Sequence, residues 1–106
     1  MTMYRLAFRM KLHPGMEKEY KRRHDEIWPE LVQLLRLTGI SDYSIFLDSE
    51  TLHLFGVLRI QKPLALDELP THPVMKKWWA YMKDIMDTNT DNSPVSIPLK
   101  EVFYLA

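Results

Sequence analysis

The order in which hydrophobic periodicities change along the chain constrains its fold more than any other feature. Every second residue from Tyr4 to Leu12 is apolar, the period of two that a half-buried strand shows. From Met16 to Leu35 the apolar residues recur at spacings of three and four, which predicts an amphipathic helix. Because Pro29 lies inside this stretch, we predict a kink or a break near Trp28.

The middle of the chain returns to the period of two. Alternating stretches occur in DYSIFLD, residues 42–48, and LHLFGVLRI, residues 52–60, and the short turn between them predicts an antiparallel hairpin. We then predict a second helix over VMKKWWAYMKDIMD, residues 74–87, and a last short strand over EVFYL, residues 101–105. This order predicts one α+β domain over residues 1–106 with a ferredoxin-like βαββαβ antiparallel sheet and both helices on one face.

The other face of that sheet is predicted to carry apolar side chains as well. Phe46, Phe55 and Val57 alternate with the residues that we expect to face the helices. An apolar sheet face that is open to water needs a cover, and two such sheets packed face to face in a symmetric dimer would supply one. We therefore expect a homodimer.

The charge balance and composition exclude several classes of function. Fourteen Lys and Arg residues offset fourteen Asp and Glu residues, so no net charge favours nucleic acid or an anionic membrane. The chain has no cysteine, which excludes a thiol nucleophile and disulfides. Arg5, Arg9 and Lys11 interrupt the N-terminal apolar residues, and no apolar run is long enough to span a membrane. We expect a soluble cytoplasmic protein.

Neither a metal nor a phosphate-bearing cofactor is expected. His13, His53 and His72 lack the spacing of metal ligands, and the three glycines are isolated rather than gathered in a phosphate-binding loop.

The stretch EYKRRHDEIWPEL places a histidine among charges. On a helix His24 lies four residues after Tyr20 and three before Ile27, so it belongs to the apolar stripe. One reading is a core histidine whose ring bonds to a backbone carbonyl. The other is a catalytic imidazole beside a phenol, since both groups donate and accept protons.

Two further stretches have both a structural and a functional reading. Trp78 and Trp79 lie about 100° apart around a helix, so they either serve core packing or form an aromatic wall for the apolar faces of a pyranose. Asp91 and Asn92 are turn formers that would also suit the polar rim of a pocket.

In the order EYKRRHDEIWPEL, YSIFLD, WWAYMKDIM, DNSPV and EVFYL, these stretches resemble the L-rhamnose mutarotases, from Met3 to Leu105. The resemblance implies a dimeric α/β-barrel assembly of ferredoxin-like subunits, without cofactor or metal, that interconverts the α and β anomers of L-rhamnopyranose. It implies that His24 is the proton donor and that Tyr20 and Tyr43 bind the sugar. It also implies that Trp78 and Trp79 contact the substrate.

Mutarotation opens the sugar ring, rotates the aldehyde about C1–C2 and closes the ring on the opposite face. We expect His24 to act as the general acid, while Tyr20 or a bound water relays the second proton. Two alternatives remain open, because a fold does not fix a function. They are a cofactor-free monooxygenase of the same barrel architecture and a non-catalytic sugar-binding module.

Overall fold

The computed structural model describes residues 3–106, so Met1 and Thr2 of the predicted domain lie outside the described residues. The described chain contains four strands: β1 Tyr4–Lys11, β2 Ile40–Asp48, β3 His53–Ile60 and β4 Ile97–Leu99. It also contains three α-helices: α1 Glu17–Asp25, α2 Pro29–Leu37 and α3 Pro73–Met82. A 3₁₀ helix at Pro63–Thr71 precedes α3. In residues 3–106 no helix is long and apolar enough to cross a membrane.

The sheet has the strand order β2-β3-β1-β4, and every neighbouring pair is antiparallel. Since β1 lies between β3 and β4, this is the arrangement that the order of periodicities predicts. The predicted α+β, ferredoxin-like fold is therefore confirmed.

The break between the first two helices lies where the proline requires it. α1 ends at Asp25, Trp28 has an extended backbone with ψ 132°, and Pro29 begins α2. Proline suits the first position of a helix because its fixed φ is already helical and its missing N–H has no intrahelical partner there. The bend turns Trp28 back toward α3, as the ring contacts below show.

One face of the sheet packs against the helices. The β3 residues Leu54, Leu58 and Ile60 are 1%, 3% and 0% exposed, respectively. Gly56 shares this face, and a Cβ there would lie 2.3 Å from the ring of Phe8. Glycine is therefore required at position 56, because the Phe8 ring occupies the space of a side chain.

A β-bulge in β2 brings Ile40 and Tyr43 to the same face of the sheet. Ser41 pairs with Arg59 and Ser44 pairs with Val57, so β2 carries one residue more than β3 between these pairs. Asp42 takes a left-handed conformation here, with φ +49°. Ile40 and Tyr43 are three residues apart and would face opposite sides of a regular strand, so the extra residue lets both of them face the helices.

The predicted second helix is too long at its C-terminal end. α3 ends at Met82, and Met86 forms an isolated bridge with Leu12. The backbone of Ile85 accepts a hydrogen bond from His13 and that of Asp87 donates one to Lys11. These bonds to the end of β1 and to the residues just after it replace helical ones, so the chain leaves the helix before residue 87.

The predicted last strand over residues 101–105 is wrong. β4 lies earlier, at Ile97–Leu99, where it pairs with Ala7–Arg9 of β1. Residues 101–105 have no regular structure, and Val102 and Leu105 are 88% and 80% exposed. Pro98 is tolerated in β4 because this strand lies at the sheet edge, where not every backbone N–H needs a partner.

Candidate active site

Tyr20 and His24 lie one turn apart on α1, with their rings stacked. The ring centroids are 4.3 Å apart, and the planes are inclined by 28°. Nδ1 of His24 lies 3.0 Å from the carbonyl oxygen of Tyr20. A carbonyl only accepts hydrogen bonds, so Nδ1 carries the proton and Nε2 of the neutral ring keeps a free lone pair. The two readings of His24 thus coexist, since the carbonyl bond fixes the tautomer that leaves Nε2 able to accept a proton.

The surroundings of His24 favour its uncharged form. Burial lowers the pKa of His24 below its usual value, and the bond to the Tyr20 carbonyl and the charge of Asp25 oppose that shift only in part. An ordinary histidine has a pKa of about 6.5. The imidazole is therefore neutral at neutral pH, which makes it a base rather than an acid at the start of a reaction.

The two tyrosines of the predicted site, Tyr20 and Tyr43, are protonated at neutral pH. Burial raises the pKa of Tyr20 well above its usual value, and Tyr43 adds to the shift through its charge. Burial raises the pKa of Tyr43 to about 12, although 38% of the residue is exposed. The ring of Tyr43 lies edge-on to Phe8, with 6.1 Å between centroids. Both phenols can donate a hydrogen bond to a sugar oxygen at neutral pH.

The helix α3 brings Trp78 to the histidine. Trp78 is 6% exposed, and its ring lies edge-on to His24 with 5.4 Å between centroids. Trp79 is half-buried against the same core. The structure thus brings Tyr20, His24 and Trp78 into direct contact, with Tyr43 close enough to Tyr20 to affect its pKa.

The aromatic cluster is larger than the sequence predicts. Trp28 lies edge-on to Trp78 at 5.1 Å and stacks on Tyr81 at 5.6 Å between centroids. Helical spacing could have indicated Tyr81, because it follows Trp78 by three residues on α3. Trp28 follows His24 by four residues but across a helix break, so no simple periodicity predicts its position.

The two candidate rim residues belong to a turn. Asp91 accepts a hydrogen bond from the backbone N–H of Ser93, and the N–H of Asn92 donates to the carbonyl of Asn89. Asn92 has φ +71°, a left-handed conformation that asparagine adopts readily. These bonds account for both residues as turn formers, and their place at a pocket rim stays a prediction.

Metal-binding clusters and surface grooves elsewhere in the described chain do not provide a better candidate site. Among residues 3–106, no group of three or more His, Asp or Glu side chains is placed to hold a metal ion. Two open surface grooves lie along α2, between Ile27 and Leu37, and beside the 3₁₀ helix, between Tyr4 and Glu68. Neither groove is lined by His24 or its tyrosine neighbours, so the aromatic cluster is the candidate site on chemical grounds.

Comparison with known proteins identifies the family. The profile of the L-rhamnose mutarotases matches residues 5–105. A protein from Brucella anthropi that bears this name is 67% identical over 105 residues, which cover 99% of each chain. This chain belongs to the L-rhamnose mutarotase family. A second family member, from Sinorhizobium fredii, is 62% identical and covers 98% of this chain and 100% of its own.

Solved structures agree with this assignment. The crystal structure of L-rhamnose mutarotase from Formosa agariphila matches with a TM-score of 0.90 at 52% identity, covering 97% of this chain and 99% of that one. A protein from Mycobacterium tuberculosis matches with a TM-score of 0.60 at 14% identity, over 99% of this chain and 100% of its own, and shares the fold alone. The resemblance to the mutarotase family that the sequence indicates is confirmed.

Proposed function

We propose that this protein is an L-rhamnose mutarotase, an isomerase that interconverts the α and β anomers of L-rhamnopyranose. The observation that carries the proposal is the match to named mutarotases along nearly the whole chain, at 67% identity. The site supplies matching chemistry, because a neutral imidazole and a protonated phenol lie stacked beside a buried indole. The family match favours this activity over the monooxygenase and the non-catalytic module.

The tautomer of His24 suggests how one imidazole serves both proton transfers. Nε2 takes the proton from the anomeric hydroxyl O1 while the C1–O5 bond breaks, and the resulting imidazolium returns a proton to the ring oxygen O5. The product is the open hydroxy-aldehyde, and ring closure on the other face reverses each transfer. The proton count balances, and both oxygens belong to C1, so one ring can serve both. His24 is thus the base first and the proton donor second.

The neighbouring side chains have separate roles in this mechanism. Tyr20 and Tyr43 donate hydrogen bonds to sugar oxygens, and Tyr20 or a water can replace the imidazolium in the second transfer. Trp78 and Trp79 offer apolar surface to the C–H faces of the pyranose. A positioned acid or base contributes a factor of roughly 10²–10⁴ to the rate, enough for a reaction that already proceeds in water.

The test is His24→Ala, with anomer exchange of L-rhamnose followed by saturation-transfer NMR. Exchange should slow by about 10²–10⁴-fold relative to the unaltered protein, while rhamnose still binds. His72→Ala, which alters a histidine that is not stacked in the cluster, is the matched control and should keep its rate. Equal exchange in the His24→Ala variant would exclude His24 from the mechanism. If the unaltered protein failed to speed exchange, the proposed activity itself would be wrong.

We propose further that the working unit is a homodimer, joined through the sheet face opposite the helices. Phe46 and Val57 on that face are 62% and 37% exposed, and Ile97 is 45% exposed. Phe46 and Val57 lie on the neighbouring strands β2 and β3, whereas Arg9 of β1 lies between these strands and Ile97. The β2–β3 part of the face is therefore an apolar surface of the kind that a second copy can cover.

A further inference from the structure

One positively charged side chain on α1 is buried although its neighbours are exposed. The side chain of Arg23 is 9% exposed, whereas those of Lys21 and Arg22 are 76% and 52% exposed. A guanidinium leaves water at a high cost unless hydrogen bonds and opposite charge replace its hydration. The partners of Arg23 therefore indicate what this burial accomplishes.

Arg23 makes four hydrogen bonds, and three of them reach the end of α3 or the turn that follows it. Nε donates to Oε2 of Glu19 at 2.7 Å. Nη1 donates to the carbonyl oxygen of Tyr81 at 2.7 Å and to Oδ1 of Asp84 at 2.9 Å. Nη2 donates to Oδ2 of Asp84 at 3.2 Å. The two bonds to Asp84 form a fork, which fixes orientation as well as distance.

The same guanidinium also lies over an aromatic ring of the candidate site. Its central carbon is 4.4 Å from the ring centroid of Tyr81. That ring is 5.7 Å from the ring of Trp78, which lies edge-on to His24. A chain of contacts therefore runs from Arg23 through Tyr81 to Trp78, while His24 follows Arg23 directly on α1.

We propose that Arg23 is a positioning residue, which holds α1 and α3 at the spacing that places His24 against Trp78. It has no contact with the reacting atoms in this proposal and acts through Tyr81 and Asp84. The inference rests on the proposed function, since the spacing matters for a sugar held between these two side chains. Misplacing reactive groups by about 1 Å can slow a reaction by about 10²-fold.

The experiment compares Arg23→Lys with Asp84→Asn and with the double variant. Lysine keeps the charge but cannot form the fork. We expect kcat/KM for anomer exchange to fall by about 10- to 100-fold in Arg23→Lys and by a smaller factor in Asp84→Asn. Because both changes break the same link, the double variant should be no slower than Arg23→Lys alone. Lys21→Gln is the matched control on α1, because within residues 3–106 Lys21 bonds only to Asp25 on the same helix.

Circular dichroism at the assay temperature separates positioning from folding. A purely structural role would lower the melting temperature without changing kcat/KM of the folded protein. If folded Arg23→Lys and Asp84→Asn both stay within about twofold of Lys21→Gln in kcat/KM, the inference is overturned. If Arg23→Lys does not fold, the kcat/KM of Asp84→Asn alone tests the inference. The Asp84 side chain is 64% exposed, so the protein should fold without its carboxylate. If the unaltered protein and Lys21→Gln do not accelerate exchange, the proposed function fails and the inference fails with it.

Discussion

The two faces of the sheet are built from the same strands but have different surroundings. On β3, Leu58 is 3% exposed and Ile60 0%, while Val57, which precedes Leu58 and faces the other way, is 37% exposed. On β2, Phe46 is 62% exposed, although phenylalanine is a residue that normally fills a core. The helices complete one face within the chain, and the apolar side chains on the other face remain open.

If the proposed homodimer forms, this difference separates the face that one chain covers alone from the face that the second copy covers. The helix-covered face carries the core and, at one side of it, the His24 cluster. The open face carries exposed apolar side chains, Phe46 and Val57 among them.

The largest effect is expected from removing a core side chain. Leu58→Ala should lower the free energy of unfolding by roughly 2–5 kcal/mol, because it leaves a cavity between the sheet and the helices. Urea denaturation measures the loss. The adjacent change Val57→Ala should lower the same free energy by less than about 1 kcal/mol. Any additional loss that depends on protein concentration belongs to the proposed dimer and is counted separately. Equal losses at the two positions would remove the distinction between the faces.

A charge on the open face should act on association. Phe46→Glu should weaken the proposed homodimer by about 100-fold or more, which corresponds to about 2.7 kcal/mol, because it buries an unpaired carboxylate in the interface. Sedimentation equilibrium measures the dissociation constant, and circular dichroism should remain unchanged. Leu37→Glu is the control, since Leu37 is 79% exposed and belongs to α2 rather than to the sheet. A Phe46→Glu variant that sediments like the unaltered protein would exclude this face as the interface.

An added methyl group on the covered face tests how closely it is packed. Gly56→Ala should cost roughly 1–3 kcal/mol of stability, because the new Cβ meets the Phe8 ring. Thermal or urea unfolding measures this cost. Shortening the partner in the double variant Phe8→Leu/Gly56→Ala should recover part of the loss. If the stability losses of the two single changes simply add in the double variant, the Phe8 ring is not what restricts position 56.

The smallest effect concerns the protonation of His24. Burial lowers its pKa, while the unfolded chain titrates near the ordinary value of about 6.5. Between these two pKa values the unfolded state binds more protons, so stability falls as the pH falls through this window. If the neutral ring starts catalysis, kcat/KM stays constant above about pH 6.5 and declines only below it. NMR titration of the His24 ring protons gives the pKa. A rate that instead rises on acidification through that pKa would make the imidazolium the starting form.

Most of the fold could be predicted because burial of one face repeats along each element. The periods of two and near four located β1, the hairpin and the helices, and Pro29 located the break. β4 was missed because EVFYL is rich in strand-forming residues, whereas Ile97–Leu99 contains a proline. Only the tertiary position of β4, at an edge, makes that proline acceptable.

The site was predictable only where it depends on local spacing. His24 and Tyr20 are one turn apart, so their stacking follows from the helix. Arg23 lies in a run of charges and looks like a surface residue, because its partners Tyr81 and Asp84 are 58 and 61 residues away in the chain. No local pattern reveals such a link.

The bulge at Asp42 makes β2 one residue longer than regular pairing with β3 requires. A deletion of this single residue would leave a regular strand in which Ile40 and Tyr43 still face the helices, with Tyr43 opposite Leu58. The phenol beside Tyr20 therefore does not depend on the identity of residue 42, and a strand shortened by this one residue should keep the site.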